Sequence, residues 1–135
     1  MQEDFPRTES IAKPLVAAVD DDFRVRESIE SLLESAGYEP ASFASAEEFL
    51  NSGMLAAAAC VITDVRMPGI DGFELHRRIR SRRPEVPVVF ISAHVNPEGR
   101  QAALCEGAFD FLYKPFDAAE LLRTVQAALR RSQGK

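Results

Sequence analysis

The sequence predicts an α/β protein in which helices cover both faces of a parallel sheet. Five short apolar segments alternate with five helical patterns along 135 residues, and alternation of this kind favours a parallel sheet because right-handed crossovers place the connecting helices on both faces. The first segment, residues 15–19, is continuously apolar, which is typical of a strand buried on both sides. An α/β fold with a different strand order stays open, because spacing along the chain does not fix that order.

Each element has its own local signal. Strands are predicted at residues 15–19, 38–43, 59–63, 88–91 and 109–112. Helices are predicted from Phe23 to Ala36, from the Ser45 cap through Leu50, from Gly72 to the residues before Pro84, from Pro97 to Gly107, and from Ala118 past Leu129. Ser45 with Glu48 and Asp117 with Glu120 form capping boxes, and Gly37 is expected as a left-handed C-terminal cap.

Length and composition indicate one domain at residues 14–131, with a flexible N-terminal tail (1–13) and a short C-terminal tail (132–135). The net charge of -5 and pI near 5.1 argue against direct nucleic-acid binding. No apolar run reaches the roughly 18 residues of a membrane span, so we expect no membrane contact. The first residues lack a signal-peptide pattern, and the default expectation is a cytoplasmic location.

Several residues are expected to be structural only. Cys60 and Cys105 form no CxxC pair and are predicted to be buried thiols. His76 is predicted to lie on a solvated helix surface. A run of arginines suggests either a nucleic-acid contact or, as we favour, a solvated helix end that complements the helix dipole; its members are Arg77, Arg78, Arg80, Arg82 and Arg83.

Polar side chains follow four of the five predicted strands. In an open parallel sheet, ligands bind beyond the carboxyl ends of the strands, where strand order reverses. The residues at these positions are Asp20 and Asp21 after the first strand, Asp64 after the third, Ser92 after the fourth and Lys114 after the fifth. The second strand is followed by no comparable group.

These residue types together suit phosphoryl chemistry. Three carboxylates repel one another unless a cation intervenes, and carboxylate and carbonyl oxygens are ligands that suit Mg2+. A lysine and a hydroxyl group could stabilise the anionic oxygens of a phosphoryl group on Asp64. The sequence therefore predicts a magnesium-assisted phosphoryl site at this edge.

Each residue also has a plain explanation. Asp20 to Asp22 could serve a helix N-terminus, and Asp64 could form a turn before Pro68. Ser92 could cap the next helix, and Lys114 could be an ordinary surface lysine. The combined site is favoured because four separate strand ends carry complementary chemistry.

In these residues and their order the chain resembles the receiver domain of bacterial two-component response regulators, most closely the FixJ-type receivers. The matching segments are "AVDDDFRVRESIESLL", "SAEEFL", "VITDVRMPGIDGFEL", "VVFISAH" and "GAFDFLYKPF". The resemblance covers roughly residues 14–131. It implies a flavodoxin-like, doubly wound, five-stranded parallel sheet of order 2-1-3-4-5 with five helices.

The resemblance also implies roles at the acidic edge. Asp64 would accept a phosphoryl group from a histidine kinase or a phosphotransfer protein. Asp20, Asp21 and Asp64 would hold Mg2+, with Asp20 acting through water and the backbone carbonyl of Arg66 contributing. Lys114 would pair with a phosphoryl oxygen, and the Lys114-Pro115 peptide bond is expected to be cis.

The same resemblance implies a switch. Ser92 would bond a phosphoryl oxygen, and Phe111 would move inward into the vacated space, changing the surface of the last two strand-helix units. The resemblance also implies that the chain could form a homodimer on phosphorylation. Arg66 and His94 border the path of the attacking water and would tune the lifetime of the phosphoryl group.

The predicted protein is therefore a phosphorylatable signalling switch and not a turnover enzyme, since it would catalyse only its own phosphorylation and dephosphorylation. A receiver-like module that docks partners without phosphorylation is the alternative. A haloacid-dehalogenase-like hydrolase is disfavoured because it would need a second aspartate at position 66, which is Arg66. The chain is expected to act alone or to precede an output domain.

Overall fold

A computed structural model describes residues 13–94 and 96–133 and has the predicted parallel sheet. The strand order is β2-β1-β3-β4-β5, which excludes the alternative orders. The strands are β1 (Leu15–Val19), β2 (Glu39–Phe43), β3 (Cys60–Asp64), β4 (Val88–Ser92) and β5 (Asp110–Tyr113). Strands β3, β4 and β5 each end one residue later than predicted. Asp64 and Ser92 therefore belong to strands rather than to the loops after them.

Five helices connect and cover the strands. They are α1 (Phe23–Ser35), α2 (Ala46–Ser52), α3 (Gly72–Arg82), α4 (Pro97–Cys105) and α5 (Ala118–Gln133), with a 3-10 turn at Met54–Ala57. Helix α5 extends two residues beyond the domain end expected at residue 131. The predicted N-terminal tail lies, except for Lys13, outside the described residues, as do residues 134 and 135.

The N-cap bond of each predicted capping box is present. The Ser45 hydroxyl accepts a hydrogen bond from the Glu48 N–H at 3.0 Å, but the Glu48 carboxylate accepts from the Ala44 N–H, at 2.9 Å, instead of from Ser45. Asp117 accepts from the Glu120 N–H at 3.0 Å. Helix α1 ends one residue earlier than predicted, and Gly37 adopts the expected positive φ of 90°.

The core has two layers, one on each face of the sheet. The layer under α1 and α5 is mainly aliphatic and includes Ile29, Leu33, Ile62, Leu121 and Val125. The opposite layer, under α2, α3 and α4, is richer in aromatic rings and includes Phe49, Phe90 and Phe111. Both layers leave the two ends of the sheet to polar and charged groups. No helix among the described residues is long and apolar enough to cross a membrane.

Two of the structural expectations were wrong. His76 is only 2% exposed and packs its ring edge-on against Phe90, with ring centroids 5.5 Å apart. It lies one residue after Leu75 and three before Ile79, so it shares the buried stripe of α3. Cys105 is exposed at the end of α4, whereas Cys60 is buried as expected, and burial raises the pKa of the Cys60 thiol to about 12.

The arginine run makes contacts typical of a helix end. Arg77 and Arg78 pair with Glu74, at 2.9 Å and 3.0 Å, on the exposed face of α3. Arg80 donates to the Glu106 carbonyl. These side chains therefore serve the protein's own structure and support the helix-end interpretation.

Candidate functional site

The carboxyl edge of the sheet brings Asp20, Asp64 and Lys114 together. Lys114 Nζ lies 2.8 Å from Asp20 Oδ2 and 3.3 Å from Asp64 Oδ2. Strands β1 and β3 are direct neighbours, which places Asp20 and Asp64 side by side. Lys114 reaches them from the loop that follows β5, across the end of β4. Three of the predicted site residues thus form one charged cluster.

The three consecutive aspartates after β1 have different surroundings. Asp22 accepts a hydrogen bond from the Arg24 N–H at 2.9 Å and so caps α1. Asp20 is fully buried, and its Oδ1 accepts from the Asp22 N–H at 2.8 Å. Asp21 is exposed. The helix-capping explanation therefore applies to Asp22, whereas Asp20 holds the turn after β1 through Oδ1 and contacts Lys114 through Oδ2.

Asp64 is held at the end of β3 by its own turn. It is 7% exposed, and its Oδ1 accepts a hydrogen bond from the Val65 N–H at 2.7 Å. The chain then returns into α3, where the Gly72 N–H donates to the Val65 carbonyl at 2.8 Å. A side chain at position 72 would collide with the Asp64 carbonyl, so only glycine allows this close approach.

The electrostatics of the cluster are unbalanced toward negative charge. Burial raises the pKa of Asp64, and the neighbouring Asp20 charge raises it further; Lys114 and the Val65 N–H act in the opposite direction but do not cancel the increase. Burial tends to lower the pKa of Lys114, yet Asp20 and Asp64 outweigh burial and raise it. One ammonium group therefore serves two crowded carboxylates.

The cluster fits a small divalent cation. Carboxylate oxygens of Asp20, Asp21 and Asp64, one from each residue, lie within 4.8 Å of one another. Asp20 Oδ2 is buried, and the cation beside it is the Lys114 ammonium, at 2.8 Å. A donor set made entirely of oxygens suits a hard cation, which would also relieve the charge imbalance.

Ser92 stands at the same edge but is bonded within its own turn. It is 1% exposed at the end of β4, and its hydroxyl accepts from the His94 N–H at 3.3 Å. The Lys114 N–H donates to the Ser92 carbonyl at 2.9 Å, which fixes the ends of β4 and β5 side by side. The explanation that Ser92 caps α4 is wrong, because the cap is Asn96, which accepts from the Gly99 N–H.

The remaining predicted residues surround the cluster. Phe111 is 2% exposed and lies in a row of rings, 5.7 Å from Phe90 and 5.6 Å from Tyr113 between centroids. Tyr113 ends the row at the surface. Arg66 and His94 are exposed on the loops after β3 and β4. The Lys114-Pro115 peptide bond is cis, as the resemblance implied.

Two contacts at this edge were not predicted from the sequence. Arg26 Nη1 donates to the Asp20 carbonyl at 2.7 Å and holds the turn between β1 and α1. Glu47 Oε2 accepts from the Ile70 N–H at 3.1 Å and joins α2 to the loop after β3. Both side chains have the spacing of ordinary surface helix residues, so no sequence signal marked them.

Comparison with known proteins gives a consistent family. The family model described as the response regulator receiver domain matches residues 16–126. The transcriptional regulatory protein FixJ of Azorhizobium caulinodans is 42% identical over 117 residues, which are 87% of this chain and 56% of that protein. Nodulation protein W of Bradyrhizobium diazoefficiens is 37% identical over 93% of this chain and 56% of its own length. The chain spans about half the length of these curated relatives.

Solved structures agree with the fold. A response regulator receiver domain protein from Clostridium thermocellum superimposes with a TM-score of 0.84 at 29% identity, over 89% of this chain and 97% of that one. The chemotaxis protein CheY4 of Vibrio cholerae gives a TM-score of 0.80 at 34% identity, over 87% of this chain and 100% of its own.

Proposed function

Since the chain belongs to the response regulator receiver domain family of two-component systems, we propose that it is a phosphorylatable switch whose acceptor is Asp64. The observation that carries the proposal is the contact of Lys114 with both Asp20 and Asp64 at the carboxyl edge of the sheet. The donor we propose is a histidine kinase or a phosphotransfer protein in the cytoplasm.

In the proposed reaction the Asp64 carboxylate attacks the phosphorus of a phosphohistidine. A P–O bond to Asp64 forms, the P–N bond breaks, and the imidazole leaves. The Lys114 ammonium, already beside Asp64 Oδ2, pairs with one oxygen of the transferred group, and the Ser92 hydroxyl donates to another. Positioning and charge neutralisation supply most of the catalysis in such transfers.

We propose Mg2+ as the cation of the acidic cluster. Asp20, Asp21, Asp64 and the Arg66 carbonyl would hold it, Asp20 through water, and when bound it would neutralise negative charge on the transferred oxygens. The carboxylate oxygens of Asp20, Asp21 and Asp64, which lie within 4.8 Å of one another, support this assignment.

The switch that follows involves Ser92 and Phe111. Phe111 already lies inward in this structure, so we propose that the bond from Ser92 to a phosphoryl oxygen favours this inward position over an outward one. A ligand that binds one arrangement more tightly shifts the population toward it. The affected surface is formed by α4, β5 and α5, and we propose it as the homodimer contact after phosphorylation.

Arg66 and His94 are proposed to set the lifetime of the phosphoryl group. Both are exposed beside the site, where each side chain could screen or orient the attacking water. Replacing both by alanine and timing dephosphorylation would test this role. An unchanged rate would remove them from the mechanism.

A labelling experiment tests the proposed acceptor. Incubation with acetyl phosphate and Mg2+ is expected to phosphorylate the wild type but not Asp64→Asn. The matched control is Asp110→Asn, an aspartate at the opposite end of the sheet, which is expected to label normally. If the folded wild type stays unlabelled, the docking module without phosphorylation becomes the better description of this chain.

A further inference from the structure

We infer that Glu47 is a positioning residue for the Asp64 site, an inference that rests on the proposed function. Glu47 lies in the first turn of α2, and its Oε2 accepts a hydrogen bond from the Ile70 N–H at 3.1 Å. Helix α2 contributes no residue to the charged cluster itself. Its contact is with the connecting loop, residues 65–71, between β3 and α3.

The connecting loop is fixed at its two ends by bonds of its own. The Val65 N–H donates to Asp64 Oδ1, and the Gly72 N–H donates to the Val65 carbonyl. Between these points, within the described chain, Glu47 is the side chain from another element that hydrogen-bonds the loop. Besides Glu47, the middle of the loop is held by the apolar side chains of Met67 and Ile70, which pack on the core.

The backbone at Gly69 is a second observation that links the loop to Glu47. Gly69 has a φ of 79°, in the left-handed region that favours glycine. A side chain built on Gly69 would strike the Glu47 carboxyl group. The loop backbone at Gly69 therefore lies directly against the Glu47 carboxylate. The left-handed conformation of Gly69 is compatible with this close approach.

The position of the loop matters for the acceptor. The loop carries Arg66, whose carbonyl and side chain both have proposed roles, and it lines an open depression of about 580 Å³ beside the site. Because Val65 bonds Asp64 Oδ1, the loop also orients the acceptor so that Oδ2 contacts Lys114. Holding the loop in one conformation preorganises these groups before the phosphoryl donor arrives.

Three variants test the positioning role. Glu47→Ala removes the acceptor of the Ile70 bond, Glu47→Gln keeps an acceptor oxygen without the charge, and Glu48→Ala removes the neighbouring cap on Ala44. The measurement is the initial rate of labelling by acetyl phosphate at saturating Mg2+, with the thermal midpoint recorded for each variant.

We expect Glu47→Ala to label about threefold to fivefold more slowly, the size typical of one exposed hydrogen bond. Glu47→Gln should recover most of the rate, a rescue that general loss of stability would not give. Glu48→Ala should lower the thermal midpoint by weakening α2 but label at the wild-type rate.

Several results would overturn the inference while leaving the proposed function intact. They are a wild-type rate in Glu47→Ala, a Glu47→Gln variant as slow as Glu47→Ala, or equal slowing in Glu48→Ala. In each case the wild type is labelled. A wild type that is folded but not labelled would refute the proposed function itself and the role of Glu47 with it.

Discussion

The two ends of the sheet handle charge in opposite ways. At the carboxyl end, Asp20 and Asp64 are buried against a single cation, Lys114, and the pKa of Asp64 is raised. At the amino end, Arg83 Nη1 donates to the carbonyls of Leu55, Ala56 and Ala58, at 2.8, 3.0 and 3.1 Å.

The difference separates binding chemistry from structural chemistry. Arg83 donates to carbonyls in and directly after a short 3-10 turn, one of which, that of Leu55, also accepts from the Ala58 N–H, so its charge stabilises the fold. The acids at the other end are short of positive charge, which costs stability in the isolated protein and favours a cation. The charges at the candidate binding site are therefore unbalanced, whereas the charge at the end that only supports the fold is matched by hydrogen-bond acceptors.

Lys114→Met should have the largest effect on stability. It leaves Asp20 and Asp64 buried without their cation, and we expect the free energy of unfolding at pH 7 to fall by about 2 kcal/mol. The pKa of Lys114 is raised in the folded state, so its contribution is fully present at pH 7 and is lost only as pH rises through that pKa. Urea unfolding without Mg2+ measures the change.

Lys13→Met is the control for Lys114→Met, because Lys13 is an exposed lysine; its effect should stay below about 0.5 kcal/mol. The loss in Lys114→Met should shrink toward pH 4 as Asp64 takes up a proton. A loss that is the same at pH 7 and pH 4 would contradict the charge argument.

Arg83→Met should come next, with a loss of about 1 to 2 kcal/mol, because three backbone carbonyls lose a donor. Unlike the loss at Lys114, this one should not vary between pH 7 and pH 5, since no buried acid depends on Arg83. The neighbouring exposed Arg82→Met is the control and should be nearly neutral. Urea unfolding of both variants at the two pH values is the measurement.

Asp64→Asn should stabilise the protein by about 1 kcal/mol at pH 7 without Mg2+. The folded pKa of Asp64 lies above its ordinary value of 3.8, so wild-type stability is lost as pH rises from that value through the folded pKa. Asparagine carries no charge, and the gain should therefore vanish near pH 4. Thermal unfolding at both pH values checks it; a destabilised variant at pH 7 would show that the acids are already balanced.

His76 gives the smallest effect and has the opposite pH dependence. Burial lowers the pKa of His76, and Arg80 and Arg77 lower it further against the opposing charge of Glu106. Stability is therefore lost as pH falls through the ordinary histidine value of 6.5. Between pH 7.5 and 5.5 the free energy of unfolding should fall further in the wild type than in His76→Gln, and the difference should stay below about 1 kcal/mol. Equal slopes in urea unfolding would mean that the pKa of His76 is the same in the folded and unfolded states and would contradict the prediction.

Local patterns identified most of the fold and much of the candidate site. Continuous apolar runs located the strands within one or two residues, and capping signals such as Ser45 and Asp117 located helix starts. Errors arose where burial depends on distant neighbours. His76 looks polar beside two arginines, but the sheet supplies Phe90 on its other side.

The sequence by itself determined the alternation of elements, the residues at each strand end and the chemical types gathered there, because these depend on neighbours along the chain. Tertiary structure decided which strands are adjacent and hence that Lys114 reaches both Asp20 and Asp64. It also decided that Glu47 meets a loop 23 residues away. Such contacts depend on how the helices and strands pack against one another, and the periodicity of the sequence does not predict that packing.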